Sequence, residues 1–197
     1  MTYSKALLGR YHTAALLLLL LSPLSGLVWA GSDTQGVPNF HQVNDSVYRG
    51  AQPTRQGLVS LAKLGVKTVI DLRGEGNRSH SEEQAVKAAG MRYISLPMDG
   101  SRAPTADQIS KVLALLSDRL GSPAFVHCRR GADRTGTVIA CYRIMHDHWA
   151  NQKALEEAKS YGMSWLERAM AQYVLSYEPT AIRAASASDS NSTLATR

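Results

Sequence analysis

The sequence predicts an α/β fold: a three-layer sandwich with a mainly parallel central sheet. Two observations carry this. Short apolar runs rich in β-branched residues alternate with stretches whose apolar residues recur at three- and four-residue steps. Glycine, proline or a capping residue marks most of the boundaries between them. Such a sheet places ligand sites beyond the carboxyl ends of its strands. Arg73, Asp99 and Cys128 each follow a strand-like run.

Taken in order, residues 31–38 are polar and contain glycine, and read as a flexible lead-in to a domain over 39–177. Residues 40–43 and 46–49 are two short strands about an Asn44-Asp45 turn. Thr54 caps a helix ending at Leu64, with Leu58, Leu61 and Leu64 on one face and Gly65 as its stop. Residues 66–72 form a buried strand, and 73–77 a loop with two glycines. A helix beginning at Ser79 or Ser81 ends at Gly90, and the strand 91–96 is closed by Pro97. The polar loop 98–104 carries Asp99 and Arg102. Thr105 with Gln108 is a capping-box pair opening a helix through Leu120, whose inward face is Ile109, Val112, Leu113 and Leu116. Residues 121–123 lead into the next strand. Beyond it come a helix over 135–149 and two more over 152–161 and 165–177. The last two offer Leu155, Ala158, Leu166, Met170 and Val174 for packing. From Glu178 the chain is rich in Ala, Ser and Thr and cannot bury a core, so 178–197 reads as a disordered tail.

The first thirty residues stand apart. Lys5 and Arg10 precede an apolar run, Pro23, Ser25 and Gly26 break it, and Val28-Trp29-Ala30 offers small residues for cleavage. This is the pattern of a signal peptide cut after Ala30, implying export to the periplasm or beyond. The alternative is a membrane anchor formed by residues 14–30, which is short for a span and contains proline. No cysteine follows the run, so a lipoprotein anchor is not supported. The formal charge is +6, and removing Lys5 and Arg10 leaves +4. That excess favours anionic substrates but is too small to indicate a nucleic-acid partner.

The chemistry gathers in residues 124–136, AFVHCRRGADRTG. A strand ends in His127 and Cys128, a tight loop follows, and the helical pattern resumes with Val138, Ile139, Tyr142 and Met145. Backbone N–H groups of a loop entering a helix N-terminus converge into an anion nest. Gly131 permits backbone angles that a side chain forbids. Arg134 can grip two oxygens of a phosphate. The same positive field favours the Cys128 thiolate, a nucleophile placed for attack on phosphorus. Thr135 offers a hydroxyl beside the sulfur, and the ring of His127 can hold the loop. The candidate phosphate-binding residues are therefore Arg129, Arg130, Gly131, Ala132, Asp133 and Arg134. The second cysteine, Cys141, would lie about 10 Å along the helix, beyond disulfide reach, and reads as a core residue. Cys128 reads as an exposed, oxidation-prone thiolate.

His-Cys-x5-Arg-Thr-Gly resembles the signature loop of the protein tyrosine phosphatase superfamily. VYRGAQPT (47–54), LGVKTVIDLRGE (64–75) and YISLPMDG (93–100) extend the resemblance to its dual-specificity branch, especially bacterial and atypical members. It spans roughly residues 40–177 and implies a cysteine-phosphatase-like fold. A rhodanese-like sulfur carrier also uses a loop cysteine, but the Arg-Thr-Gly ending fits that family poorly.

A departing alcohol needs a proton, and two residues compete to supply it. Asp99 resembles the mobile-loop aspartate of dual-specificity phosphatases. Asp133, inside the loop, resembles the arrangement in myotubularin-like lipid phosphatases. Each also has a structural reading: Asp99 as a turn former beside Gly100, Asp133 as the partner of a neighbouring basic side chain. Gln52 and Arg73 either border the pocket or are strand-end hydrogen bonders. The expected activity is hydrolysis of phosphorylated proteins through a phosphocysteine. The alternatives are the same chemistry on a phosphoinositide or inositol phosphate, and a phosphate-binding module without turnover. No cofactor or metal is called for: His146 and His148 flank Asp147 but point to different helix faces.

Overall fold

The computed structural model describes residues 34–74 and 76–179. The expected leader over 1–30 and most of the expected tail lie outside the described residues. Five strands, β1 (His41–Asn44), β2 (Val47–Ala51), β3 (Thr68–Asp71), β4 (Arg92–Ser95) and β5 (Ala124–Cys128), form one sheet in the order β1-β2-β5-β3-β4. Only the β1–β2 pair is antiparallel; β2–β5, β5–β3 and β3–β4 are parallel. Among the described residues the helices are α1 (Arg55–Lys63), α2 (Asn77–Ala88), α3 (Ala106–Leu116), α4 (Asp133–His146), α5 (Asn151–Ser160) and α6 (Arg168–Leu175).

The pleat sorts the side chains into layers, since successive residues of a strand face opposite ways. Ile70, Ala124, Val126 and Cys128 join Val112, Leu113, Val138 and Tyr142 in the core against α3 and α4. Val69 and Phe125 join Leu58, Leu61 and Val86 in the core against α1 and α2. A third cluster, including Ala140, Leu155, Ala158 and Val174, fixes α5 and α6 to the outside of α4. This is the expected three-layer arrangement with α5 and α6 added to one face.

Several boundaries differ from expectation, each for a local reason. The lead-in is not loose: Val37 is buried, Gly36 accepts from the N–H of Thr54, and Pro38 accepts from that of Ala51. Gly36 and Gly57 let two backbones touch, since a Cβ on Gly57 would lie 2.2 Å from the Gly36 oxygen. Helix α2 starts at Asn77, ahead of both serines considered. Helix α3 stops at Leu116, because the Asp118 carboxylate accepts from the N–H of Leu120 and turns the chain, leaving Leu120 exposed. Helix α4 ends at His146; His148 takes a left-handed φ of 55° and sends Trp149 back under Arg143 and Lys153. Helix α6 begins at Arg168, after a turn in which Ser164 accepts from Glu167. Trp165 and Leu166 are therefore 76% and 64% exposed, and Leu166 does not pack as expected.

At the carboxyl edge of the sheet lies a buried ionic network. The Arg73 guanidinium donates to both oxygens of Asp71 and, at 2.7 Å, to Glu82. Tyr93 donates its hydroxyl to Asp71 at 2.8 Å. Burial alone would raise the Asp71 carboxyl, but the bonds from Arg73 and the proximity of His127 outweigh it and hold it below the usual carboxylate range. Its contribution to stability is complete above the unfolded value of about pH 4 and is lost as pH falls through the lower folded value. Arg73→Met leaves two buried carboxylates without their cation. The expected cost is about 3 kcal/mol, read as a fall in Tm of roughly 10 °C at neutral pH and a smaller fall in acid.

Candidate active site

Cys128 is the last residue of β5 and pairs in register with Ala51, while His127 pairs with Gly50 on one side and Asp71 on the other. The pleat sends these two neighbours into different layers. The sulfur faces α4, and the imidazole stacks on Phe125 and meets Glu82 of α2, with Nε2 2.8 Å from its carboxylate. His127 thus ties the end of β5 to the Asp71–Arg73–Glu82 network.

Residues 129–132 turn the chain from β5 into α4. Gly131 has a φ of +67°, and a Cβ there would sit 2.3 Å from the carbonyl carbon of Gly50. Only glycine meets both conditions. The loop is held from outside by polar side chains. Arg49 donates to the Gly131 carbonyl at 2.6 Å. The Asn39 amide reaches the carbonyls of Arg130, Gly131 and Tyr161. With these carbonyls engaged on the outside, the N–H of Arg130 acts on the Cys128 sulfur. The N-terminus of α4 has no side-chain cap, so its first N–H groups are also open to an anion.

The concavity is a cavity of about 470 Å³ lined by Gly100, Cys128, Arg129, Arg130, Asp133 and Arg134. Cys128 forms its floor and is buried, not exposed as expected. Burial pushes its thiol up. The hydroxyl and N–H of Thr135, the Arg134 charge and the N–H of Arg130 outweigh that and hold it below the ordinary thiol value. Thr135 is itself fully buried, and its hydroxyl acts on the sulfur. The Arg134 guanidinium donates weakly, at 3.4 Å, to the carbonyls of Leu72 and Met98. That holds its fork at the rim with donors to spare. This arrangement can seat a tetrahedral oxyanion above a thiolate.

The two candidate acids differ sharply. Asp133 lines the cup but is buried and committed: one oxygen takes Arg130 at 2.5 Å, the other the N–H of Ser164 at 2.9 Å. Asp99 is fully exposed beside Gly100, and one of its oxygens accepts from the N–H and hydroxyl of Ser101 and the N–H of Arg102. The bonds from Ser101, foremost its N–H, hold its carboxyl below the usual range. Arg129 and Arg130 stand at the exposed rim and Ala132 is buried under the loop. Arg73 lies in the ionic network and not in the cup; Gln52 donates its N–H to the Arg129 carbonyl at 3.4 Å. Cys141 is buried, and burial alone pushes its thiol well up.

One further group has metal-ligand chemistry: atoms of Asp71, Glu82 and His127 lie within 4.8 Å of one another. The Arg73 guanidinium is already bound to both carboxylates, so the group is engaged in an ion pair and not open as a cation site. His146 pairs with Asp147 at 2.7 Å and not with His148. Arg49 and Asn39 were not singled out from the sequence. A signal existed for Arg49, since its neighbours of like parity, Val47 and Ala51, are apolar and mark an inward face.

Residues 32–175 match a family model described as "DSP-PTPase phosphatase fused to NAD+ Kinase". The dual specificity protein phosphatase TpbA of Pseudomonas aeruginosa is 32% identical over 124 residues, 63% of this chain. The match spans 55% of TpbA's own length. Inositol diphosphatase DSP5 of Arabidopsis thaliana is 28% identical over 66% of each chain. The crystal structure of a cysteine-to-serine form of P. aeruginosa TpbA in complex with pTyr superposes with a TM-score of 0.65 at 28% identity, covering 79% of this chain and 93% of that one.

If the Thr135 hydroxyl offsets the cost of burying a sulfur anion, Thr135→Val raises the thiol. The pH midpoint for alkylation of Cys128 by iodoacetamide, located by peptide mass, moves upward toward the ordinary value of about 8.5. An unmoved midpoint removes Thr135 from the site's electrostatics.

Proposed function

The chain belongs to the DSP-PTPase phosphatase family, and from that premise we propose that it hydrolyses phosphoric monoesters through a phosphocysteine on Cys128. The observation that carries this is the cup itself: a depressed thiol at the floor, a free-ended arginine at the rim and an uncapped helix N-terminus behind. The Cys128 sulfur attacks phosphorus and the bond to the leaving oxygen breaks. Arg134 and the loop N–H groups hold the three equatorial oxygens, whose charge peaks in the transition state. Thr135 supports the thiolate as nucleophile and again as leaving group. Water then attacks the phosphocysteine, releasing phosphate and restoring the thiolate.

Asp99 is our proton donor, because both oxygens of Asp133 are already bound and Asp99 is held only by its own loop. To donate, it swings toward the cup beside Gly100 and leaves the Ser101 and Arg102 bonds that keep it ionised. Asp133 is then the anchor that fixes Arg130 and the turn at Ser164.

The proposed substrates are phosphorylated proteins, phosphotyrosine among them, in line with the TpbA complex. A second reading, a phosphoinositide or inositol phosphate, is favoured by Arg129, an exposed cation on the rim beyond the one a single phosphate needs, with Arg130 beside it paired to Asp133. An aryl phosphate assay in EDTA separates the possibilities. Wild-type turnover should persist, and Cys128→Ser should abolish it. Asp99→Asn should lose the alkaline limb of the pH profile with a poor leaving group and lose little, less than about tenfold, with a good one. If Asp133→Asn behaves so instead, the donor is misassigned. Phosphate-analogue binding without turnover points to a module, and a phosphopeptide and inositol-phosphate panel sorts the substrates.

We also propose export, with residues 1–30 removed, on the charge and hydropathy pattern of the leader alone. N-terminal sequencing of the secreted or periplasmic chain should begin at Gly31; retention in the membrane fraction with the leader intact favours the anchor.

A further inference from the structure

Arg49 is a fully buried arginine on β2, on the face that also carries Val47 and Ala51. Ala51 pairs in register with Cys128, so Arg49 lies two residues back along the neighbouring strand, on the sulfur's side of the sheet. Its Nη2 donates to the Gly131 carbonyl, and its guanidinium lies 4.6 Å from the centre of the Tyr161 ring, which His41 stacks against in turn. Its Nε and Nη1 have no hydrogen-bond partner. No carboxylate forms an ion pair with it among the described residues: Glu157, the nearest acid in electrostatic effect, is taken by Arg143.

A buried cation without an anion is costly, and folds rarely keep one without a use. Burial lowers its pKa to about 10, still well above neutral pH, so it stays charged. We propose that Arg49 is a positioning residue whose counter-ion is the anion of the cup: the Cys128 thiolate at rest, and the bound phosphoryl group during turnover. It acts twice. Its hydrogen bond turns the Gly131 carbonyl outward and so aims the loop N–H groups inward. Its charge reaches the cup from beneath, through a region that water does not screen.

The groups facing the sulfur are Arg134, Asp133 and Thr135 from α4, Arg129 and Arg130 from the loop, and Arg49 from β2, while the His127 ring lies in the opposite layer against Phe125 and Glu82. Those facing Arg49 are Glu157 and Tyr161 at α5, Arg143 from α4, Cys128, and His41 through the Tyr161 stack. Asp133 is bound to Arg130, and Asp99 points into solvent. Arg49 is thus the cation beneath the loop, where Arg134 is the one above it.

The inference rests on the cup being an anion site, so the test reads the sulfur and the anion separately from turnover. Arg49→Met and Arg49→Lys are compared with wild type in three measurements on the full chain. These are the pH dependence of Cys128 alkylation by iodoacetamide, the protection that inorganic phosphate gives against it, and Tm with and without phosphate. In Arg49→Met, alkylation at pH 6 should slow by about fivefold or more and phosphate protection should need about tenfold more phosphate. Tm without phosphate should fall, because the Gly131 carbonyl and the buried thiolate lose their partner, and the rise that phosphate adds should shrink. Arg49→Lys keeps the charge and should restore most of the alkylation rate while phosphate protection stays weak, since a point charge does not hold the carbonyl as the fork does. The Lys variant also serves if the Met variant does not fold. Unchanged alkylation and unchanged phosphate protection in a folded variant overturn the proposal, as does a Lys variant that loses as much as the Met variant. An ordinary thiol and no phosphate protection in the wild type would instead sink the reading of the cup.

Discussion

The site depends on one close approach: the backbone of Gly131 lying against the backbone of Gly50. A loop that must point many N–H groups inward has to send its carbonyls somewhere. It sends them toward β2 and the lead-in, where Arg49 and Asn39 receive them. That packing is possible only because Gly131 has no side chain at the contact. The concave face of the loop is therefore a consequence of how its convex face is satisfied. Buried carbonyls with good donors are the structural half of an anion site, and the inward amides are the functional half.

The pleat does a second piece of work. By placing His127 and Cys128 on opposite faces, it lets one strand end address two chemistries. The sulfur meets the cations and hydroxyl of α4, and the imidazole meets the carboxylates beneath α1 and α2. The Asp71–Arg73–Glu82 ion pairs lock the ends of β3 and α2 around that imidazole. The end of β5 is thus fixed from both sides, while residues 99–103, which include Asp99, are exposed and bound chiefly among themselves. A rigidly held Cys128 beside a loosely held Asp99 suits the proposed roles of nucleophile and acid, in which only one partner has to move.

Much of this was legible in the sequence. The strand–loop–helix reading of the signature stretch, the parallel sheet and the capping box at Thr105 follow from spacing and residue type, which local rules govern. What the sequence concealed depends on long-range contact. Asp133 reads in the sequence as acid or anchor, and the Ser164 N–H that favours the anchor, thirty-one residues away, leaves no local trace. Arg73 could border the pocket until Glu82 was placed beside it. Leu166 has the right spacing for a packed helix, but a turn at Ser164–Glu167 rotates it into solvent. Asn39, just after the polar lead-in, looked idle because its use, propping a loop some ninety residues downstream, leaves no local trace.

That lead-in has a consequence for handling the protein. Asn39 sits in a left-handed conformation, with φ of 51°, and spends its amide on the carbonyls of the phosphate loop. Trimming by a protease at residues 34–38, or a bulky affinity tag spliced close to Thr34, would pull on the same segment that braces the cup. Loss of activity after limited digestion at that end would then be damage at the catalytic centre, arriving through a stretch that never touches substrate.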